Sequence, residues 1–180
     1  MSEILPNLSY HGGFAISGGF MAKTIHHTNT LKVRQALWDL QKEVLDSLKE
    51  IFDNEIGYQA QPAEWFNVLM TAERYIWLKE LTSLMADIDV LTELELVDED
   101  QAAIARFEIE RLIIDLETED DFTRNYKGLL LGGGNLLPRH THLKSQLELI
   151  PKKDLDSKDS FSKRKKWQET HREEARKKRM

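Results

Sequence analysis

The chain has 180 residues, 31% charged and 41% hydrophobic, with a net charge of −6. It holds no cysteine, which excludes disulfides, thiolate zinc sites, iron–sulfur clusters and a cysteine nucleophile. Its longest apolar runs are three or four residues, too short for a membrane helix, so no membrane contact is expected and a cytoplasmic or otherwise intracellular protein is the default.

Residues 1–29 read as an irregular arm. Gly12-Gly13 and Gly18-Gly19 bracket Phe14-Ala15-Ile16, and glycine pairs oppose helix. Met1 to Phe20 lacks a basic n-region and does not read as a signal peptide.

The first helix is expected over Thr30–Asn54, capped by Asn29 or Thr30 and stopped by Gly57. Val33, Leu37, Leu40, Val44, Leu48 and Ile51 recur at steps of three and four and mark one face. A second helix should begin at Pro62 and run to Asp89. Its apolar residues nearly encircle it, including Trp65, Phe66, Met70, Ile76, Trp77, Leu81 and Leu84, which predicts a central spine. A third should follow Asp98, with Gln101 completing a capping box, and end by Glu119. Its stripe is Ala105, Ile109, Leu112 and Leu116. A short helix over Asp121–Lys127, a break at Gly132-Gly133-Gly134, and another helix over His140–Ile150 complete the body at Pro151.

Residues 152–161 read as a polar linker and 162–179 as a last helix with Ser162 as cap. Only Phe161, Trp167 and Ala175 there have anything apolar to bury. The expected fold is all-α: an antiparallel bundle of three long helices with one or two short ones, an irregular N-terminal arm (1–29), a bundle (30–151), and a linker with a basic helical tail (152–180).

Charge divides the chain at that linker. Residues 1–151 carry 13 Lys+Arg against 25 Asp+Glu, and residues 152–180 carry 12 against 6. A +6 tail on a −12 body points to an acidic partner for the tail: the chain's own body, another copy, another protein, or nucleic acid. The candidate contact residues are Lys163, Arg164, Lys165, Lys166, Trp167, Arg176, Lys177, Lys178 and Arg179. A basic segment with one aromatic can neutralise phosphates and stack a base. The favoured reading is contact with protein, because an acidic body repels nucleic acid laid along it. Glu173 and Glu174, ahead of Lys177 and Lys178, also allow a plain solvated helix stitched by ion pairs.

Other candidates are weaker. His26-His27 and His140-Thr141-His142 could supply imidazoles to one zinc if they meet, while His11 and His171 stand alone. Glu43 with Asp46, and Glu117 with Asp120, resemble the paired carboxylates that bind Mg²⁺ in all-α nucleotide pyrophosphatases, a resemblance confined to these two pairs. Ion-paired surface carboxylates are the simpler reading. Glu73 falls on an apolar face of the expected spine and should be buried against Arg106 or Arg111 as a structural pair. The Gly132–Gly134 run lacks the Lys-Ser/Thr ending of a phosphate loop and reads as a hinge. No catalytic signature stands out, and no cofactor or metal is expected. An acidic helical body with a basic terminal helix resembles the layout of phage scaffolding and packaging-adaptor proteins. The favoured function is therefore a non-enzymatic interaction or assembly protein that self-associates or docks to a protein partner through its termini, the irregular N-terminal arm and the basic tail, with a virus-like assembly as one setting for it. The alternatives are a nucleic-acid-binding accessory protein and a carboxylate- or histidine-based metal enzyme.

Overall fold

α1 (Ile25–Ile56) begins five residues before the expected start because Thr24, not Asn29 or Thr30, is its cap. The Thr24 hydroxyl accepts the His27 N–H at 3.0 Å and donates to the Val97 carbonyl at 2.7 Å. Thr30 instead donates to the His26 carbonyl within the helix. The computed structural model describes residues 23–180. Most of the expected arm, with both glycine pairs and His11, lies outside the described residues, and Ile25–Asn29 are helical. Gly57 ends α1 at φ +82°, a left-handed position that favours glycine. Val33, Leu37, Leu40, Val44 and Leu48 are buried as expected, whereas Ile51 runs past its cover into solvent.

The expected spine is two helices. α2 (Pro62–Thr71) stops at Ala72, whose ψ of 126° is extended. A 3₁₀ turn over Glu73–Tyr75 follows, then α3 (Leu78–Glu93). Aromatic packing explains the break. Trp65 and Tyr75 are ten residues apart and would sit about 15 Å apart along an unbroken helix. Their rings instead meet edge-on at 5.5 Å, and Trp65 also packs on Phe52 of α1 at 5.4 Å. Arg74 lies over both the Phe52 and Tyr75 rings and pairs with Glu55 at 2.7 Å. No glycine or proline marks Ala72, so the break is tertiary in origin.

The break also resolves the encircling apolar pattern. α3 is the central element and buries Leu78, Leu81, Leu84, Met85, Ile88 and Leu91. α2 is peripheral and buries only Trp65. α1 and α3 run antiparallel: His27 reaches the Thr92 carbonyl, Arg34 pairs with Asp89, and Arg74 meets Glu55 at the other end.

α4 (Glu99–Ile109) has the expected capping box, with Asp98 and Gln101 bonded reciprocally. It widens into a π turn over Glu110–Ile114 and stops there, five residues before the expected end, with the Asp115 N–H on the Glu110 carbonyl. α5 (Asp121–Leu131) starts after the cap Asp120 and carries the buried Phe122 onto Trp77, with the buried Tyr126 stacked on Phe122. Gly133 and Gly134, both at positive φ, turn the chain into α6 (Leu136–Leu147), which lies along α1. Asn29 at the start of α1 donates to the Leu149 carbonyl just beyond α6, so these two helices are also antiparallel.

The fold is thus an all-helical bundle, with no strand among the described residues. No helix among them is long and apolar enough to cross a membrane. Its last member is α7 (Ser157–Lys178), capped by Asp156, whose carboxylate accepts the Lys158 and Asp159 N–H groups. The helix starts five residues before the expected Ser162, which leaves 151–156 as the extended connection from α6 to α7. It packs against α3 and α4 as a full member of the bundle.

Candidate functional site: the charged seam under α7

The inward stripe of α7 is Ser160, Arg164, Trp167, His171, Glu174 and Lys178, at steps of four, three, four, three and four. That is the spacing of a packed helix face, built here almost wholly from polar side chains. Every member has a partner or is buried. Ser160 donates to Glu108 at 2.8 Å. Trp167 is buried. His171 lies 3.1 Å from Glu93, Glu174 accepts the Glu95 N–H, and Lys178 pairs with the Glu95 carboxylate.

Arg164 is the centre. Its side chain is 5% exposed and sits between Asp87 of α3 and Glu108 of α4, whose side chains are both 0% exposed. Nη1 donates to Glu108 at 2.8 Å. Nε lies 2.8 Å from Asp87 Oδ2, close enough for an ion pair but without hydrogen-bond alignment. Lys165 adds a second cation to Asp87 at 2.7 Å, and Gln168 donates to the other oxygen at 2.9 Å. Arg111 adds a second cation to Glu108 at 3.3 Å. All four carboxylate oxygens are therefore engaged. The Phe161 ring stacks beside the Arg164 guanidinium at 4.9 Å and the Lys165 ammonium at 5.4 Å.

Burying two carboxylates is tolerable only with this degree of pairing. With every oxygen occupied by a donor or cation, the cluster fixes the register of α7 on α3 and α4.

The tail residues singled out from sequence divide by face. Arg164, Lys165 and Trp167 turn inward onto the chain's own body. Lys163 pairs with Asp159 in its own helix, and Lys178 with Glu95. Lys166, Arg176, Lys177 and Arg179 are exposed, and with Arg172 they have no ion-pair partner among the described residues. The pairs expected between Glu173 or Glu174 and Lys177 or Lys178 do not form, because Glu174 and Lys178 are directed to the Glu95 corner.

The Glu73 expectation is corrected. Glu73 is exposed and lies in the 3₁₀ turn, since the break at Ala72 resets the face on which it falls. Arg106 instead donates to the Ile150 carbonyl and pairs with Glu110 and Glu148. The buried acids are Asp87 and Glu108. Each has a signal in the sequence: Asp87 lies between Leu84 and Leu91 on one face, and Glu108 between Ala105 and Leu112.

The other candidates are not brought together. Glu117 lies in the loop after the π turn, and Asp120 caps α5, accepting the Thr123 N–H at 2.7 Å. Glu43 and Asp46 remain on α1. His27 is buried against the Thr92 carbonyl, and His140 sits 2.9 Å from the Tyr126 hydroxyl. Burial and the nearby Lys144 hold the His140 imidazole below its usual value, and burial raises the Tyr126 phenol well above its own. Among the described residues no three His, Cys, Asp or Glu side chains are grouped to hold a metal. An open groove of about 850 Å³ runs between α4, α6 and the 151–156 connection. Its lining carries five basic and five acidic side chains, so it favours neither sign of ligand.

One surface was not singled out from sequence. On α2, Phe66 and Met70 are 65% and 69% exposed and share one face with Ala63. Residues 59–72 contain a single charged side chain, Glu64, which accepts a hydrogen bond from Tyr58.

No family model, curated protein or solved structure matches the chain.

Proposed function

We propose that this is a non-enzymatic interaction or assembly protein, and that the partner on α2 is a second copy of the chain. The observation that carries this reading is the Phe66–Met70 stripe, apolar and uncovered by any of the described residues, on a helix whose core side is satisfied by Trp65. Its surroundings favour a like partner. With α7 docked the chain carries a net charge of −6, so two copies repel overall, and the α2 face, with Glu64 its one charged side chain, is a nearly neutral window where they can meet with little like-charge contact. A pair joined there would bury well under ~1,200 Å², so the association is weak and concentration-dependent.

The test is sedimentation of the full chain over a wide concentration range, beside a Phe66→Glu, Met70→Glu variant. The average mass of the native chain should rise with concentration, and that of the variant should stay at the monomer, with unchanged helical signal. A native chain that remains monomeric throughout, or a variant that associates equally, overturns the reading.

A second reading rests on the five outward cations of α7, Lys166, Arg172, Arg176, Lys177 and Arg179. They would suit an acidic polymer such as nucleic acid. A mobility shift that falls steeply with salt, and is lost when these five are replaced, would favour it.

A further inference from the structure

The seam on α3 and α4 is a ready-made receptor for a basic helix: two buried carboxylates, Asp87 and Glu108, converge on one guanidinium, with Ser83 and Glu93 along the same helix taking Lys165 and His171. We infer that this receptor also takes α7 from a second copy, so that two chains exchange their C-terminal helices. The inference rests on the assembly reading but uses a different surface from α2.

Three features carry it. First, the docked face is separable. Trp167 is the one large apolar side chain of α7 that is fully buried, and the rest of the contact is charged or hydrogen-bonded. When α7 leaves, both sides of each ion pair regain water and little apolar surface is exposed, and the buried cluster admits the helix back in only one alignment. Second, the connection is already extended. Residues 151–156 form no helix, begin at Pro151, and hold to the body through Lys153 on Glu99 and Asp100. Opening it sacrifices no helical hydrogen bonds. Third, every contact made within one chain is available between two, since each copy offers one seam and one α7. Such an exchange is isologous and closes at two copies.

Within one chain the short tether holds α7 at an effective concentration of about a millimolar or more. The single-chain form therefore dominates in dilute solution, and exchange emerges where copies are crowded, as in an assembly held by other contacts.

The absence of cysteine makes a clean test possible. One chain carries Ser83→Cys on the seam and another Lys165→Cys on α7, positions whose native side chains are 2.9 Å apart. The two are mixed at high concentration and treated with a short bismaleimide. Exchange predicts a covalent dimer joining seam to helix, growing with concentration, while a chain carrying both cysteines cross-links within itself when dilute. If the double-cysteine chain closes on itself but the mixture yields no mixed dimer, exchange is wrong. The α2 reading stands or falls separately, on the mass of the Phe66→Glu, Met70→Glu variant. A deletion variant tests the same exchange without cysteine chemistry. Removing residues 152–155 shortens the connection by about 13 Å and keeps α7 from its own seam. Exchange predicts a tight dimer with Trp167 buried, even in the Phe66→Glu, Met70→Glu background. A monomer with α7 undocked overturns it.

Discussion

Arg164→Ala removes one guanidinium from between two carboxylates that have no exposure to water. Breaking a buried pair by deleting one partner costs about 3–5 kcal/mol, because the charge left behind has no solvent. Here two features lower the figure. Lys165 still reaches Asp87, and Arg111 still reaches Glu108. α7 can also lift away and let water in, so the loss cannot exceed the free energy with which the helix docks. We expect about 3 kcal/mol, near the bottom of that range. For a chain of this size this lowers the melting temperature by about 6–12 °C. The assay is urea and thermal unfolding followed by far-ultraviolet circular dichroism and by tryptophan emission, compared with a Trp167→Phe chain so that the α7 signal is separated from that of Trp38, Trp65 and Trp77. Lys166→Ala, one position away from Lys165 but exposed and without an ion-pair partner among the described residues, is the control and should change stability by less than about 0.5 kcal/mol. The variant Asp87→Leu, Glu108→Leu, Ser160→Ala, Arg164→Met should recover most of the loss, since replacing a buried ionic cluster and its hydroxyl with apolar side chains is often neutral or better, and the half-exposed Lys165 and Arg111 can turn to water. If Arg164→Ala and Lys166→Ala prove equally mild, α7 is not docked through this cluster and the account of the seam is wrong.

Leu84, fully buried on the central helix, should lose about 2–5 kcal/mol on replacement by alanine; a loss under about 0.5 kcal/mol in a urea melt would place α3 at the surface. His140 is held below its ordinary value of 6.5 by burial and Lys144, so the unfolded chain binds its proton more readily than the folded one. Its contribution to stability is complete above the unfolded value and fades as pH falls through the folded one; unfolding free energy should decline from pH 7 toward pH 5, and His140→Gln should flatten that slope.

What could be read from sequence was what is decided within a turn or two of helix. The Val33–Leu48 stripe, the Asp98–Gln101 capping box, Pro62 at a helix start and Gly57 at a helix end all depend on neighbours three or four residues away. The failures have tertiary causes. Ala72 breaks a helix without any breaker residue because Trp65 and Tyr75 find the same site on α1. Thr24 outcompetes Asn29 as a cap because its hydroxyl also has the Val97 carbonyl to bind. The inward face of α7 has the spacing of a packed helix but is not legible as one, because apolar periodicity passes over Ser160, Arg164, His171, Glu174 and Lys178. Charge still pointed the right way. The acidic body was among the partners expected for the basic tail, and the body that meets it is the chain's own.

That outcome changes what the charge split implies about partners. A basic segment on an acidic chain invites the search for an external polyanion, but four of the nine cations in 162–180 are already engaged: Lys163, Arg164, Lys165 and Lys178. The cations most deeply committed, Arg164 and Lys165, belong to the Lys163–Lys166 run before Trp167, which is where a nucleic-acid reading would place the contact. What remains outward is spread along α7 and interleaved with Glu169 and Glu173, so its field is weaker than the count suggests. The two faces also respond differently to salt. Charges exposed to solvent are screened beyond about 10 Å at 0.1 M, while the Arg164 cluster is shielded from counterions by its burial. Salt therefore distinguishes an outer contact from α7 docking, and docking that persists at high salt directs the search for a partner away from the basic helix and toward the neutral face of α2.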